Sequence, residues 1–155
     1  MLFMKFISRS LSDTEKLAER FLKGLTLAKD EATIIGLYGD LGSGKTTFVQ
    51  AVGQLLGITE PMQSPTFVII KTYNLQLTTN NKGFQNLIHV DSYRLEKGEE
   101  LRKLGFKELL SHPKNLILIE WADRVAGVLP PDHIKLLCKF MDEQTREFTV
   151  ENSKS

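Results

Sequence analysis

Thr33-Ile34-Ile35-Gly36-Leu37-Tyr38-Gly39-Asp40-Leu41-Gly42-Ser43-Gly44-Lys45-Thr46 is the stretch from which the fold can be read. Its first six residues are largely apolar and partly β-branched, with no polar alternation. That pattern predicts a strand buried on both faces, as parallel sheets require. Gly39–Gly44 is a glycine-rich turn in which the main chain lies open. Lys45–Leu56 then has the spacing of an amphipathic helix stopped by Gly57. A buried strand, an open turn and a helix in that order begin an α/β unit.

Gly39 to Thr46 also matches G-x-x-x-x-G-K-[ST] at every fixed position. The residue types suit phosphate. Main-chain N–H groups must wrap around phosphate oxygens, and side chains at Gly39, Gly42 and Gly44 would obstruct them. The following helix points its positive end at the same place. Lys45 offers a point charge to the β- and γ-phosphates, and Thr46 a hydroxyl to Mg²⁺. Asp40, Leu41 and Ser43 fill the variable positions of the loop, and Thr47 follows it, so all four count with the triphosphate-binding segment. The expected ligands are ATP and Mg²⁺.

Other strand ends should supply the remaining parts, because ligands gather there in open α/β sheets. His89-Val90-Asp91 ends one expected strand, and Leu116-Ile117-Leu118-Ile119-Glu120 runs four aliphatics into a carboxylate. Mg²⁺ prefers oxygen ligands. Asp91 and Glu120 are therefore read, with Lys45, as catalytic residues, and with Thr46 as metal ligands. Which carboxylate meets the metal and which orients water stays open on the sequence. Ser64-Pro65-Thr66-Phe67 lies where a mobile loop could close over the γ-phosphate, with Thr66 as its contact. Trp121 is expected to pack in the core. Arg94 and Arg124 are expected on the surface. His89, His112 and His133 have no partners at ligand spacing and are not read as a zinc site.

Elsewhere, Phe6–Ser10 is a candidate strand, and Ser12-Asp13-Thr14-Glu15 fits the capping-box pattern that opens a helix. Thr66–Leu77 and Phe84–Val90 read as a hairpin across the polar turn Thr78–Gly83. The tip, Gln76–Gln85, is long, polar and without an assigned role. Glu99–Leu110 has helical spacing at Leu101, Leu104 and Leu109. Asn115–Ile119 is a buried strand, and Ile134–Phe140 and Arg146–Val150 form a second hairpin. The expectation is an α/β, three-layer, P-loop NTPase-like fold with a mixed, largely parallel sheet. Residues 1–150 make one domain, and 151–155 a flexible tail.

The chain has 155 residues, 41% hydrophobic and 25% charged, enough to bury one core. Twenty Lys and Arg against 19 Asp and Glu give a net charge of +1, which argues against gripping nucleic acid through bulk charge. Cys138 is the only cysteine, so a disulfide framework is excluded, and it reads as a small buried hydrophobe in a reducing compartment. The apolar start Met1–Ile7 is too short for a signal segment, and no stretch approaches a membrane span. A cytoplasmic location is expected.

The ordered set GDLGSGKTT, SPTFVIIKTY, HVDSYRL and IEWADR resembles the TsaE family. These are small bacterial P-loop ATPases of tRNA threonylcarbamoyladenosine synthesis, and the resemblance runs from about Ser12 to about Phe140. It implies an ATPase with weak intrinsic activity that docks on a transferase heterodimer acting on adenosine 37 of tRNA. It further implies that hydrolysis resets that complex, and that tRNA is reached mainly through the partners. By the same resemblance Lys45 and Thr46 match the phosphate and metal residues, and Thr66 the switch threonine. Asp91 and Glu120 match the two acidic positions, with Trp121 beside the second.

A small-molecule kinase would use the same loop, but such enzymes carry an arginine-bearing lid, and Arg94, Arg102 and Arg124 are spread out. A nucleotide-sensing scaffold without catalysis is the third alternative.

Overall fold

A computed structural model of the chain describes residues 2–76 and 81–152. In chain order its elements are β1 (Leu2–Ser8), α1 (Leu11–Lys23), β2 (Thr33–Tyr38), α2 (Lys45–Leu55), β3 (Ile70–Asn74) and β4 (Asn86–Asp91). Then come α3 (Gly98–Arg102), α4 (Phe106–Leu110), β5 (Asn115–Glu120), a 3-10 segment (Ala122–Val128), β6 (Ile134–Asp142) and β7 (Thr145–Asn152). Among the described residues the strands form one sheet in the order β1-β7-β6-β2-β5-β4-β3. The central run β6-β2-β5-β4 is parallel, and β3, β7 and β1 add antiparallel edges. The sheet is thus mixed, with the parallel part at its centre and both expected hairpins present.

Strand alternation sends side chains to two cores, one on each face. Ile35, Leu37, Leu87, Leu116 and Leu118 pack beneath α1 and α2 with Leu17, Phe21, Phe48 and Val52. Ile34, Ile88, Val90, Ile117 and Ile119 face the other way, against Leu101, Phe106 and Val125. These are the three expected layers, and they explain why β2 and β5 are apolar at every position.

Several boundaries differ from the sequence reading. Helix α1 is capped at Ser10, not Ser12. Ser10 is extended, its Oγ accepts from Asp13 N at 3.1 Å, and Asp13 Oδ2 accepts from Arg9 N at 2.9 Å. The same Ser-x-x-acid spacing exists two residues earlier than expected, and there it meets the end of β1 at Ser8. The expected helix Glu99–Leu110 is two short helices, because Gly105 takes φ +90° and starts a new one. Leu104, expected on the buried face, is consequently 49% exposed. The expected strand Thr66–Leu77 begins only at Ile70, since the residues after Pro65 turn toward Asp91. Leu77 and much of the polar turn lie outside the described residues. Strand β7 runs through Asn152 and pairs Glu151 with Phe3 of β1, so the first two residues of the expected tail are strand. The cause is β1, which begins at Leu2 and offers them partners. Among the described residues no helix is long and apolar enough to cross a membrane.

Phe48 joins α2 to both neighbours: its ring meets Phe21 of α1 edge-on at 5.5 Å and Phe148 of β7 at 6.3 Å. It is fully buried. Phe48→Ala should therefore lower unfolding stability by about 3–5 kcal/mol in urea titration. Burial also pushes the Cys138 thiol up to about 12. A thiol reagent at neutral pH should leave native protein unlabelled and label it only after denaturation.

Candidate functional site

Strand β2 ends at Tyr38, and the chain must reverse within six residues to enter α2. Gly39 permits this at φ +149°; a Cβ there would strike the carbonyl oxygen of Cys138 on neighbouring β6. The loop therefore lies against the sheet, with Arg146 of β7 holding its tip by donating from Nε to Gly42 O at 2.6 Å. Above it opens a cavity of about 790 Å³, the size of a small-molecule site. Its walls include Leu41–Thr47, the start of α1, and the β6–β7 turn at Glu143 and Gln144.

Lys45 is buried, and its Nζ donates to Gly39 O at 2.5 Å, Asp40 O at 2.8 Å and Ser43 Oγ at 3.2 Å. Its ammonium also lies 4.1 Å from the centre of the Trp121 ring. Burial lowers its pKa below the ordinary lysine value, opposed by negative charge on Glu120, Asp40 and Asp123. Trp121 is thus not in the core: it is half-buried on the cavity wall, at φ +57°, beside Tyr93 at 5.0 Å and Arg124 at 5.2 Å. Its polarised ring face is taken by cations, so the apolar core was the wrong destination.

The two acids stand side by side, because Asp91 and Glu120 are paired residues at the ends of parallel β4 and β5. They do different things. Glu120 Oε1 accepts from Thr46 Oγ1 at 2.7 Å, and Oε2 accepts from His89 Nε2 at 2.6 Å. Asp91 Oδ2 accepts from Ser64 Oγ at 2.6 Å and Thr66 Oγ1 at 3.0 Å, while Oδ1 accepts from Tyr93 N at 2.9 Å. Asp91 therefore anchors the Ser64–Ile69 loop, and Glu120 touches the helix that carries Lys45. Ile69 closes the loop at φ +69°, strained for a β-branched residue. Pro65 O holds it by accepting its N–H at 2.6 Å, and its own carbonyl accepts from Asp91 N at 2.9 Å.

The sequence-predicted residues converge with few exceptions. Leu41, Gly42, Ser43, Gly44, Lys45, Thr46, Thr47, Thr66, Asp91 and Glu120 line one cavity. Gly39 and Asp40 do not line it; they support it by accepting from Lys45. The start of α1 forms a further wall of that cavity. Two contributors were missed: Arg146, in a late strand remote in sequence, and His89. The signal for His89 was available, since it precedes Asp91 by two on one strand and so shares its face.

The donor set is oxygen only, Thr46 Oγ1 with the Glu120 and Asp91 carboxylates, which suits a hard divalent cation such as Mg²⁺. The cradle of loop amides at the start of α2 and the adjacent lysine suit a polyphosphate.

A family model described as threonylcarbamoyl adenosine biosynthesis protein TsaE matches residues 8–148. A tRNA threonylcarbamoyladenosine biosynthesis protein TsaE from Treponema pallidum is 33% identical over 147 residues, covering 95% of this chain and 99% of the relative. The protein of that name from Bacillus subtilis is 39% identical over 116 residues, covering 75% and 67%. Among solved structures, Bacillus subtilis YdiB superposes with a TM-score of 0.73 at 28% identity, covering 97% of this chain and 86% of that one.

Asp91→Ala would leave two hydroxyls and one N–H without their acceptor. The loop should lose roughly 1–3 kcal/mol of local stability. In hydrogen exchange, amides of residues 64–70 should open about tenfold faster or more, with the α1 and α2 amides little changed.

Proposed function

The chain belongs to the TsaE family, and from that premise we propose that it binds and hydrolyses ATP as an accessory of threonylcarbamoyl modification of adenosine 37 in tRNA. The observation that carries the reading is the 2.7 Å hydrogen bond from Thr46 to Glu120, which joins the phosphate-type loop to a carboxylate at a strand end. Neither residue alone would distinguish a nucleotide site from a turn.

The residues divide the work. Main-chain N–H groups of Gly42–Thr46 bind the β- and γ-phosphates. Lys45 turns from the carbonyls of Gly39 and Asp40 to a phosphate oxygen. The Thr46 hydroxyl and the Glu120 carboxylate, with Asp91 nearby, would hold Mg²⁺, which when bound supplies charge neutralisation across the phosphates. A carboxylate of the Asp91–Glu120 pair accepts a hydrogen bond from the attacking water and orients it. Thr66, released from Asp91, closes the loop on the γ-phosphate and makes the loop a readout of nucleotide state.

Docking on a transferase heterodimer is supported by the cavity rim. Leu41, Phe67 and Val68 are 70%, 85% and 66% exposed. Leu41 lines the cavity, and Phe67 and Val68 follow its lining residue Thr66; exposed apolar groups beside a site are what a partner surface covers. The net charge of +1 agrees with tRNA being reached through partners.

ATP binding by calorimetry and phosphate release test the proposal together. Lys45→Ala should weaken binding by about thirtyfold or more, a loss of charge-assisted contacts. Glu120→Ala should still bind ATP but turn it over about a hundredfold more slowly. Turnover should rise when the purified heterodimer and tRNA are added. Wild-type protein that gives no heat with Mg-ATP would sink the reading, and acceptor-dependent ADP release would favour a kinase.

A further inference from the structure

The Glu120 carboxylate has a second partner whose role the mechanism above does not use. His89 is 0% exposed, and its Nε2 donates to Glu120 Oε2 at 2.6 Å. Its other ring nitrogen, Nδ1, is buried without a hydrogen-bond partner. The residue sits in central strand β4 between Ile88 and Val90, and pairs with Leu118 across the sheet. An aliphatic side chain would suit that environment, whereas a half-satisfied imidazole costs stability there. Packing therefore does not explain the histidine. The contact with Glu120 does.

We propose that His89 is a positioning residue that fixes one oxygen of Glu120 while the other changes partners. The inference rests on the proposed ATPase reading and adds a residue to it. Glu120 is a long side chain whose carboxylate has two side-chain hydrogen-bond partners, Thr46 on Oε1 and His89 on Oε2. Thr46 is the partner that the reading assigns to the metal, so its bond to Oε1 is the one that can be given up. His89 belongs to a central strand, is enclosed on every side, and cannot follow a moving carboxylate. Its bond leaves Glu120 turning about a fixed oxygen rather than swinging free. Groups held by such outer partners lose much of their effectiveness when the partner is removed.

Two amides of different reach test this. The amide nitrogen of Gln in His89→Gln extends about as far as imidazole Nε2, while that of His89→Asn ends near the position of Nδ1. Both variants are equally polar, so a general folding defect would affect them alike. His89→Asn should lower kcat for ATP by about tenfold to a hundredfold with KM for Mg-ATP changed by less than about threefold, and His89→Gln should stay within about threefold of wild type in both. Equal kcat in the two variants, whether both fast or both slow, would overturn the proposal. An inactive wild type would remove the ATPase reading and this inference with it, whereas equal variants of an active protein would remove only the role of His89.

Discussion

A carboxylate can be buried only where its charge is met, and Glu120, 3% exposed, is met on both oxygens. That requirement ties three elements together. The acid ends β5, one oxygen binds the first turn of α2, and the other binds the middle of β4. The first turn of α2 is also where the glycine-rich loop ends, so the loop, the helix and two central strands share one polar joint. Because β4 and β5 are parallel and in register, the same joint places Asp91 beside Glu120. Site geometry thus follows from the pairing of two apolar strands that end on acids.

The lysine obeys the opposite economy. A buried ammonium needs acceptors, and Lys45 finds them in carbonyls of its own loop and in the face of Trp121. These are weak substitutes for phosphate oxygens, which carry full charge. Binding a polyphosphate would exchange dipoles for charges at a group that burial already penalises, so the exchange is favourable and the lysine has a defined resting place. The same logic puts Trp121 on the wall rather than in the core. Its ring serves two cations, Lys45 and Arg124, and a ring sunk among leucines could serve neither.

Much of this was legible in the sequence, for a physical reason. Thr33–Tyr38 was read with its true bounds, since a strand covered on both faces has no alternation to confuse it. Asn115–Ile119 is equally plain and stops one residue short of the strand's end at Glu120, and the loop motif fixes the start of α2. What failed was local signal overruled by distant contact. Thr66–Ile69 has strand-forming residues, yet two hydroxyls of its loop bind an aspartate on another strand. Leu104 fits a helical period, yet it lies between α3, which ends at Arg102, and α4, which Gly105 opens. Arg146 meets Gly42 across 104 positions of chain, beyond the reach of any spacing argument.

The Ser64–Ile69 loop is also the part of the site best able to move. Its hold on Asp91 is two hydroxyl contacts and the main-chain bond at Ile69, whose backbone stays in the left-handed region only while its neighbours keep it there. Drawing Thr66 from Asp91 removes part of that restraint, and the strain at Ile69 then favours rearrangement rather than resisting it. Phe67 and Val68 ride on the same segment, almost unburied. A change felt by the Thr66 hydroxyl in the cavity would therefore reach Phe67 and Val68, one and two residues further along the chain, at about 3.3 Å per residue. Glu120, by contrast, has one oxygen tied to buried His89 within the sheet. One acid of the pair keeps an oxygen tied to the sheet through His89, while the other is the catch of a strained loop; on the proposed reading, that asymmetry would let a bound nucleotide be both held and announced.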